Sequence, residues 1–253
     1  MKVKAMIRGC NGRMGQMITS LVADDDEIEI VAGIDVYDKQ QNDYPVFKTF
    51  ADCTVKADVI IDFASVNDFE SMLEYAEKTS TPVVVCTTGL SPEQVTEVHK
   101  SSEKVAMLRS ANMSLGINML LKLLKEATRT LVPANFDIEI IEKHHNQKLD
   151  APSGTALALA DSINEELDNQ YKYQYDRSKV KKKRDKKEIG FSSVRGGTIV
   201  GEHDVIFAGT DEVITFSHSA YSRAVFGKGA IQAAKYLAGK KPGFYSMSDV
   251  IEG

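Results

Sequence analysis

The sequence predicts an α/β chain: an N-terminal Rossmann-type parallel-sheet domain joined to a second, α+β domain with a mixed or antiparallel sheet. Three observations predict it. Up to Leu108, short apolar runs alternate with amphipathic stretches, the pattern of βαβ units covered on both faces. After Ser114 the strands become half-polar, with Ile138 and Ile140 alternating with Asp137 and Glu139. Beyond that, three β-rich stretches follow one another with glycine turns between them.

The elements follow in order. Val3–Arg8 is a strand that runs into glycines, and a helix spans about Arg13 to Ala23. Strands come next at Ile28–Asp35 and Asp58–Asp62, then a helix at Asn67–Lys78 and a strand at Thr81–Thr87. Ser91-Pro92 places a proline just inside a helix start, and Val105–Leu108 closes the series. In the second part, leucines and a methionine at three- and four-residue spacing make Ile117–Leu131 helical. A strand at FDIEIIEKHH and a helix at Ala156–Leu167 follow it. Strands at Ile189–Arg195, Thr198–Ala208 and Glu212–Ala220 complete the second sheet. Phe226–Leu237 is helical again and returns to the first domain, so residues 1–113 with 224–253 form one domain and 114–223 the other.

The chain has 253 residues, 43% hydrophobic and 26% charged, with a net charge of −5. That composition buries a core and excludes disorder. A mean hydropathy of −0.23 and the lack of a long apolar run exclude a membrane span. The opening residues, MKVKAMIRGCNGRMG, reach glycines and an arginine before a signal-peptide core forms, which favours a cytoplasmic location. Cys10, Cys53 and Cys86 have unrelated spacings, so neither a disulfide framework nor a metal site is expected.

Lys179–Lys187 (KVKKKRDKK) carries seven basic residues and one acid, leaving the rest of the chain at −11. Nucleic-acid binding and a mobile solvated loop both fit a run of this kind. The absence of an aromatic platform and the acidic remainder favour the loop, which could close as a lid over an anionic ligand and would extend over 171–188.

Gly9-Cys10-Asn11-Gly12-Arg13-Met14-Gly15 falls where the first strand meets the first helix. A dinucleotide site needs glycine there for a tight turn, for close approach of pyrophosphate, and for helix–strand packing. The helix N-terminus then offers N–H groups to phosphate. The spacing is GxxGxxG rather than GxGxxG, so a plain βα turn is the other reading. Asp35, 20 residues after Gly15, is placed to hold the adenosine ribose hydroxyls. A carboxylate there repels the 2′-phosphate of NADPH, and Val36 follows it instead of an arginine, although Lys39 is near in sequence. NADH is therefore the expected cofactor, with some tolerance of NADPH.

Glu139 to Ala156 reads EIIEKHHNQKLDAPSGTA. Adjacent His144 and His145 point to opposite faces of an extended strand, so they do not share one metal. Ser153-Gly154-Thr155 opens a helix. Read plainly, it is a cap; read functionally, its N–H groups and hydroxyls cradle a carboxylate, with Lys148 adding positive charge. His99, His203 and His218 are isolated in sequence and read as structural. Cys86 reads as a buried strand-end residue, with no histidine near it in sequence.

The same segment resembles the signature of the dihydrodipicolinate reductase family, E-[IV]-x-E-x-H-x-x-x-K-x-D-x-P-S-G-T-A, from Glu139 through Ala156. GCNGRMG, VVCTTGL, SANMSLGINML and VRGGTIVGEH are similar, in order, to the family's GxxGRMG loop, GTTG strand end, ANFSxGxN segment and late strands. Cys86 replaces the family's usual glycine and Met113 its usual phenylalanine. The resemblance implies reduction of 4-hydroxy-tetrahydrodipicolinate, a cyclic dicarboxylate, by NADH or NADPH with loss of water, in the diaminopimelate route to lysine. It implies dinucleotide contacts from Gly9, Cys10, Asn11, Gly12, Arg13, Met14 and Asp35. On the nicotinamide side it implies Cys86, Thr87, Thr88, Ser110, Ala111, Asn112 and Met113. His144 is implied as the proton donor and acceptor and Lys148 as a second donor, with substrate held by His145, Ser153, Gly154 and Thr155. A homotetramer assembled through the second domain is implied as well.

Two other readings remain. Another two-domain nicotinamide dehydrogenase would account for the glycine turn and Asp35, but not for HHxxKxDxPSGTA. A non-catalytic NAD-responsive protein using KVKKKRDKK on nucleic acid would account for the basic run.

Overall fold

The computed structural model describes residues 1–37 and 40–253, so Lys39 lies outside the described residues. The chain forms two compact units, Met1–Leu115 with Ala224–Gly253, and Gly116–Arg223.

The first unit is built on seven parallel strands: β1 (Val3–Arg8), β2 (Ile28–Ile34), β3 (Val46–Phe47), β4 (Val59–Asp62), β5 (Val83–Val85), β6 (Ala106–Arg109) and, from the C-terminal segment, β12 (Gly243–Tyr245). Their order is β12-β6-β5-β4-β1-β2-β3. Strand polarity explains the two-sided burial. Ala5 and Ile7 of β1, with Val59 and Ile61 of β4, pack under α1 (Arg13–Ala23) and α6 (Ala224–Leu237). Met6 and Ile60 point the other way, under α2 (Phe69–Thr79) and α3 (Pro92–Ser102). With both faces covered, the strands read as continuous apolar runs. β1 pairs with β2 on one side and β4 on the other, so the chain direction of the sheet's build reverses beside the glycine turn, where such sheets bind ligands.

The second unit has β7 (Asp137–His144), β8 (Lys172–Gln174), β9 (Glu188–Arg195), β10 (Gly201–Ala208) and β11 (Val213–Ala220), in the order β11-β10-β7-β9-β8. β10 is antiparallel to β7 and β11, whereas β9 is parallel to β7 and β8, which makes the sheet mixed. One face packs on α4 (Leu115–Leu131) and α5 (Gly154–Glu165) through Ile138, Ile140, Phe191, Val205 and Phe207. The other face carries Ile141, Ile206 and the ion pairs of Lys143 with Glu202 and Asp204, at 2.9 and 3.5 Å.

The structure differs from the sequence reading at several ends. β2 stops at Ile34, leaving Asp35 in the following loop, and β5 keeps only Val83–Val85. α4 starts two residues early, at Leu115. α5 begins at Gly154 rather than Ala156, because Ser153 Oγ accepts the Ala156 N–H at 3.1 Å and caps it. β3, β8, β12 and a terminal helix α7 (Met247–Glu252) have no counterpart in that reading. The three strands are two or three residues long, too short to show a period. The basic segment is also not a freely solvated loop throughout. Arg184 reaches Asp137 at 2.9 Å, Glu139 at 3.0 Å and the Ile138 carbonyl at 2.7 Å, tying the segment to the start of β7. No helix of the described residues is long and apolar enough to cross a membrane.

Candidate active site

The glycine turn is set by sterics. Gly9 has φ +81°, and a Cβ there would lie 2.9 Å from the backbone of Ala64. A Cβ on Gly15 would stand 2.3 Å from the Gly9 carbonyl oxygen and 2.5 Å from that of Cys10, so only glycine lets the first turn of α1 sit against β1. Gly12 is the N-cap, no side chain caps α1, and Gly12 and Arg13 are exposed. A helix N-terminus without a side-chain cap suits an anion, and a dinucleotide pyrophosphate is one that such a turn can take. Asp35 Oδ2 accepts the Asn11 N–H at 2.9 Å and Oδ1 the Tyr37 N–H at 3.0 Å. Each oxygen keeps a lone pair for a ribose hydroxyl. Cys10 is fully buried, and burial pushes its thiol up to about 12, so it packs the turn without reacting.

The loops at the far ends of β5 and β6 are partly committed elsewhere. Thr87 Oγ1 donates to Asp62 Oδ2 at 2.6 Å, and Asp62 pairs with Arg8 at 2.8 Å, both partners buried. Cys86 is partly buried and its thiol is raised by burial, with the Asp62 charge adding to it. Thr88 and Ala111 are exposed. Ser110 Oγ accepts the Met247 N–H at 2.7 Å, and Asn112 Oδ1 accepts that of Ser114 at 2.8 Å. Met113 is a core side chain, 5% exposed.

In the second unit, the strand registers build a cluster of its own. Glu142 and His144 alternate with Lys143 on β7 and share the face that carries Ile138 and Ile140. The register sets Arg195 of β9 opposite His144 and His203 of β10 opposite Glu142, with His218 of β11 opposite His203. At one level across four strands, the face therefore turns from apolar to titratable. Glu142 Oε2 is 2.5 Å from His144 Nδ1. Arg195 donates to both of its oxygens, at 2.8 and 2.7 Å, and to the Asp150 carbonyl at 2.6 Å. Burial alone would raise the Glu142 carboxyl, but hydrogen bonds led by Arg195 hold it at about 2. His144 is lowered by burial, against the raising influence of Glu142. His203 is pushed down to about 4, by burial first and then by His144. Its Nε2 meets Ser153 Oγ at 2.8 Å, and its ring lies 5.1 Å from that of His144.

The remaining predicted residues gather at the same end. His145 lies one residue beyond β7 and is half-buried. Lys148 sits in the turn that follows, its ammonium 2.8 Å from Asp150 Oδ1. Gly154 begins α5, and a Cβ there would meet no atom within 4 Å, so space opens before the helix N-terminus. The Asp150 carboxylate already meets Lys148 and the Gly154 N–H there, while Arg195 donates to the Asp150 carbonyl, so a carboxylate sits among positive charge at that helix end.

Sequence reasoning missed Glu142, Arg195 and His203. His203 is not isolated, as its place in the sequence suggested, because cross-strand pairing brings it against His144 and Ser153. For Glu142 a signal existed: its two-residue spacing from His144 puts both on one strand face. Among the described residues, no cluster of three or more His, Cys, Asp or Glu could hold a metal.

A parallel sheet with an uncapped glycine turn, and a separate sheet bearing an imidazole beside a helix N-terminus, are the parts of an NAD(P)H-dependent oxidoreductase, the class to which its relatives belong. The chain matches the family models for the N-terminus of dihydrodipicolinate reductase over residues 3–113 and for its C-terminus over 116–251. It belongs to the dihydrodipicolinate reductase family. It is 50% identical over 252 residues to the 4-hydroxy-tetrahydrodipicolinate reductase of Caldanaerobacter subterraneus subsp. tengcongensis, covering 100% of this chain and 99% of that one. It is 47% identical over 249 residues to the enzyme of that name from Clostridium novyi, covering 98% of each chain. The fold is similar to the dipicolinate-bound dihydrodipicolinate reductase from Paenisporosarcina sp. TG-14, with a TM-score of 0.82 at 25% identity over 98% of this chain and 99% of that one.

Proposed function

We propose that this chain reduces 4-hydroxy-tetrahydrodipicolinate to tetrahydrodipicolinate with loss of water, that His144 and Lys148 carry its protons, and that NADH is the preferred reductant. When bound, the reduced dinucleotide supplies hydride to C4 of the dehydrated, conjugated imine. The turn at Gly9–Met14 holds its phosphates and Asp35 its adenosine ribose, while 86–88 and 110–113 line the nicotinamide. The first unit is thus the dinucleotide-binding domain, and the second binds substrate.

Hydride addition drives electron density towards the ring nitrogen and carboxylates, which Lys148 and the α5 N-terminus stabilise. His145, Gly154 and Thr155 hold the carboxylates; Ser153, expected among them from the sequence, is buried with its N–H on Glu142 and its hydroxyl on Ala156 and His203, so it shapes the helix end instead. His144 protonates the resulting enamine, with Lys148 as a second donor, and an imidazole is suited to this because it titrates near working pH. The observation that supports this reading best is the cluster of Glu142, His144 and Arg195 at the end of β7 and β9, with Lys148 in the following turn close enough to act on His144. Dinucleotide oxidation with substrate made fresh from pyruvate and aspartate semialdehyde tests it. His144→Gln lowers kcat about 10²–10⁴-fold, and Lys148→Ala damages both KM and kcat. Near wild-type kcat in His144→Gln would remove the proton-donor role.

Preference for NADH follows from the Asp35 charge, which opposes a 2′-phosphate, and from exposed Val36 and Tyr37 where an arginine would be needed. A higher kcat/KM with NADPH would overturn it. The face of the second sheet bearing Ile141, Ile206 and the Lys143 ion pairs supports assembly of a homotetramer through that domain, and the proposed place of this biosynthetic step is the cytoplasm. Light scattering of the purified protein gives the subunit number.

A further inference from the structure

We propose that Glu142 and Arg195 are positioning residues that fix the proton of His144 on Nδ1 and leave Nε2 as the atom through which the proton reaches substrate. This rests on the proton-donor reading of His144 above. It adds which nitrogen acts and what makes it so.

Glu142 is entirely buried, and its carboxylate lies 2.5 Å from Nδ1. Arg195 grips both carboxylate oxygens from β9, and the Ser153 N–H adds a third donor at 3.3 Å. A carboxylate bound in this bidentate way stays ionised and only accepts hydrogen bonds. Nδ1 must therefore be the donor in that contact. The neutral ring then carries its lone pair on Nε2, and the imidazolium carries its transferable proton there.

Nε2 faces Gly201 of β10. A Cβ at that position would lie 3.1 Å from Nε2, and glycine keeps the approach open. The charged and titratable groups around the ring are Glu142 on β7, Arg195 on β9, His203 on β10 and Lys148 in the following turn. His218 lies one strand further, opposite His203. Burial, Lys148 and Arg195 all disfavour the imidazolium; among these groups, Glu142 alone favours it on His144. His203, held at about 4, adds no charge near neutrality.

Glu142→Gln preserves shape and removes the charge. Its amide oxygen turns to Arg195, so its NH₂ faces Nδ1 and makes that nitrogen an acceptor. Long-range nitrogen–proton spectra of histidine-labelled protein, assigned with His144→Gln, show Nδ1–H in the wild type and Nε2–H in Glu142→Gln. In kinetics, Glu142→Gln lowers kcat about 10²-fold at unchanged dinucleotide KM. It also moves the alkaline limb of the kcat profile down by about one pH unit or more. Glu142→Asp, which retains the charge, keeps the wild-type tautomer and recovers part of kcat. An Nε2–H tautomer in the wild type overturns the proposal. So does a Glu142→Gln protein with wild-type tautomer and limb, even if its kcat falls. Should that variant not fold, the wild-type spectrum alone decides. If the wild type itself does not reduce the imine, the functional reading fails, while the tautomer still decides this one.

Discussion

Acidification should weaken the second unit through His203 at a higher pH than through Glu142. His203 is 4% exposed, its Nε2 is held by Ser153 Oγ, and its Nδ1 has no partner among the described residues. Its folded pKa of about 4 lies below the ordinary imidazole value of 6.5 that the unfolded chain approaches. Protonation therefore favours the unfolded chain. The contribution is complete above about pH 6.5 and is lost as pH falls from there towards 4. The full gap is worth about 3 kcal/mol, and about 2 kcal/mol of it disappears between roughly pH 7 and pH 5. Glu142, at about 2 against 4.5, acts in the same direction but in a lower window. His144 and His218 are also lowered, both by burial first, and add to the same slope. The chain has no tryptophan, so circular dichroism follows urea unfolding better than indole fluorescence. The wild-type midpoint should fall by about 1 M urea across that interval, for a slope typical of a domain this size. His203→Asn should lose stability at neutral pH yet show a markedly flatter pH dependence. If the two proteins lose stability in parallel as pH falls, His203 is not the titrating group and the burial account is wrong.

Three further outcomes follow from distances. Gly201→Ala puts a methyl 3.1 Å from His144 Nε2, so kcat should fall about tenfold while dinucleotide binding holds, checked by steady-state kinetics. Gly15→Ala drives a Cβ against two backbone carbonyls, and the turn must open. The NADH Kd should rise about tenfold or more in a fluorescence titration, because the opened turn would withdraw the helix end from the phosphates it is proposed to hold. Arg184→Ala releases the basic segment from Asp137, Glu139 and Ile138, and trypsin should cut within Lys179–Lys187 about tenfold faster at unchanged kcat.

Much of the first unit was legible because its signals are local. Two-sided burial makes β1, β4 and β5 continuous apolar runs, and Ser91 with Gln94 forms the capping box that Ser91-Pro92 foreshadows. The glycine turn was equally plain, since each steric demand on Gly9 and Gly15 arises within a few residues or from the adjoining strand. β3 and β12 escaped because a pair such as Gly33 with Val46 is imposed by a neighbouring strand, not by the two residues themselves.

The second unit divides differently. His144, Lys148 and the Ser153 cap are legible since one continuous segment carries them, yet what gives His144 its chemistry comes from far along the chain. Arg195 reaches Glu142 across 53 residues and His203 reaches Ser153 across 50, each delivered by strand register. A one-residue slip of β9 would send Arg195 to the opposite face and replace it with Val194 or Gly196. Glu142 would then be a buried carboxylate without its cation, its pKa would rise, and it would become a donor able to turn the His144 tautomer over. The histidine is written in β7, but its protonation state depends on pairings that no local window contains. The apolar residues one level down, Ile140, Phe191 and Val205, lock those pairings by packing on α5, so hydrophobic register and proton placement are set together.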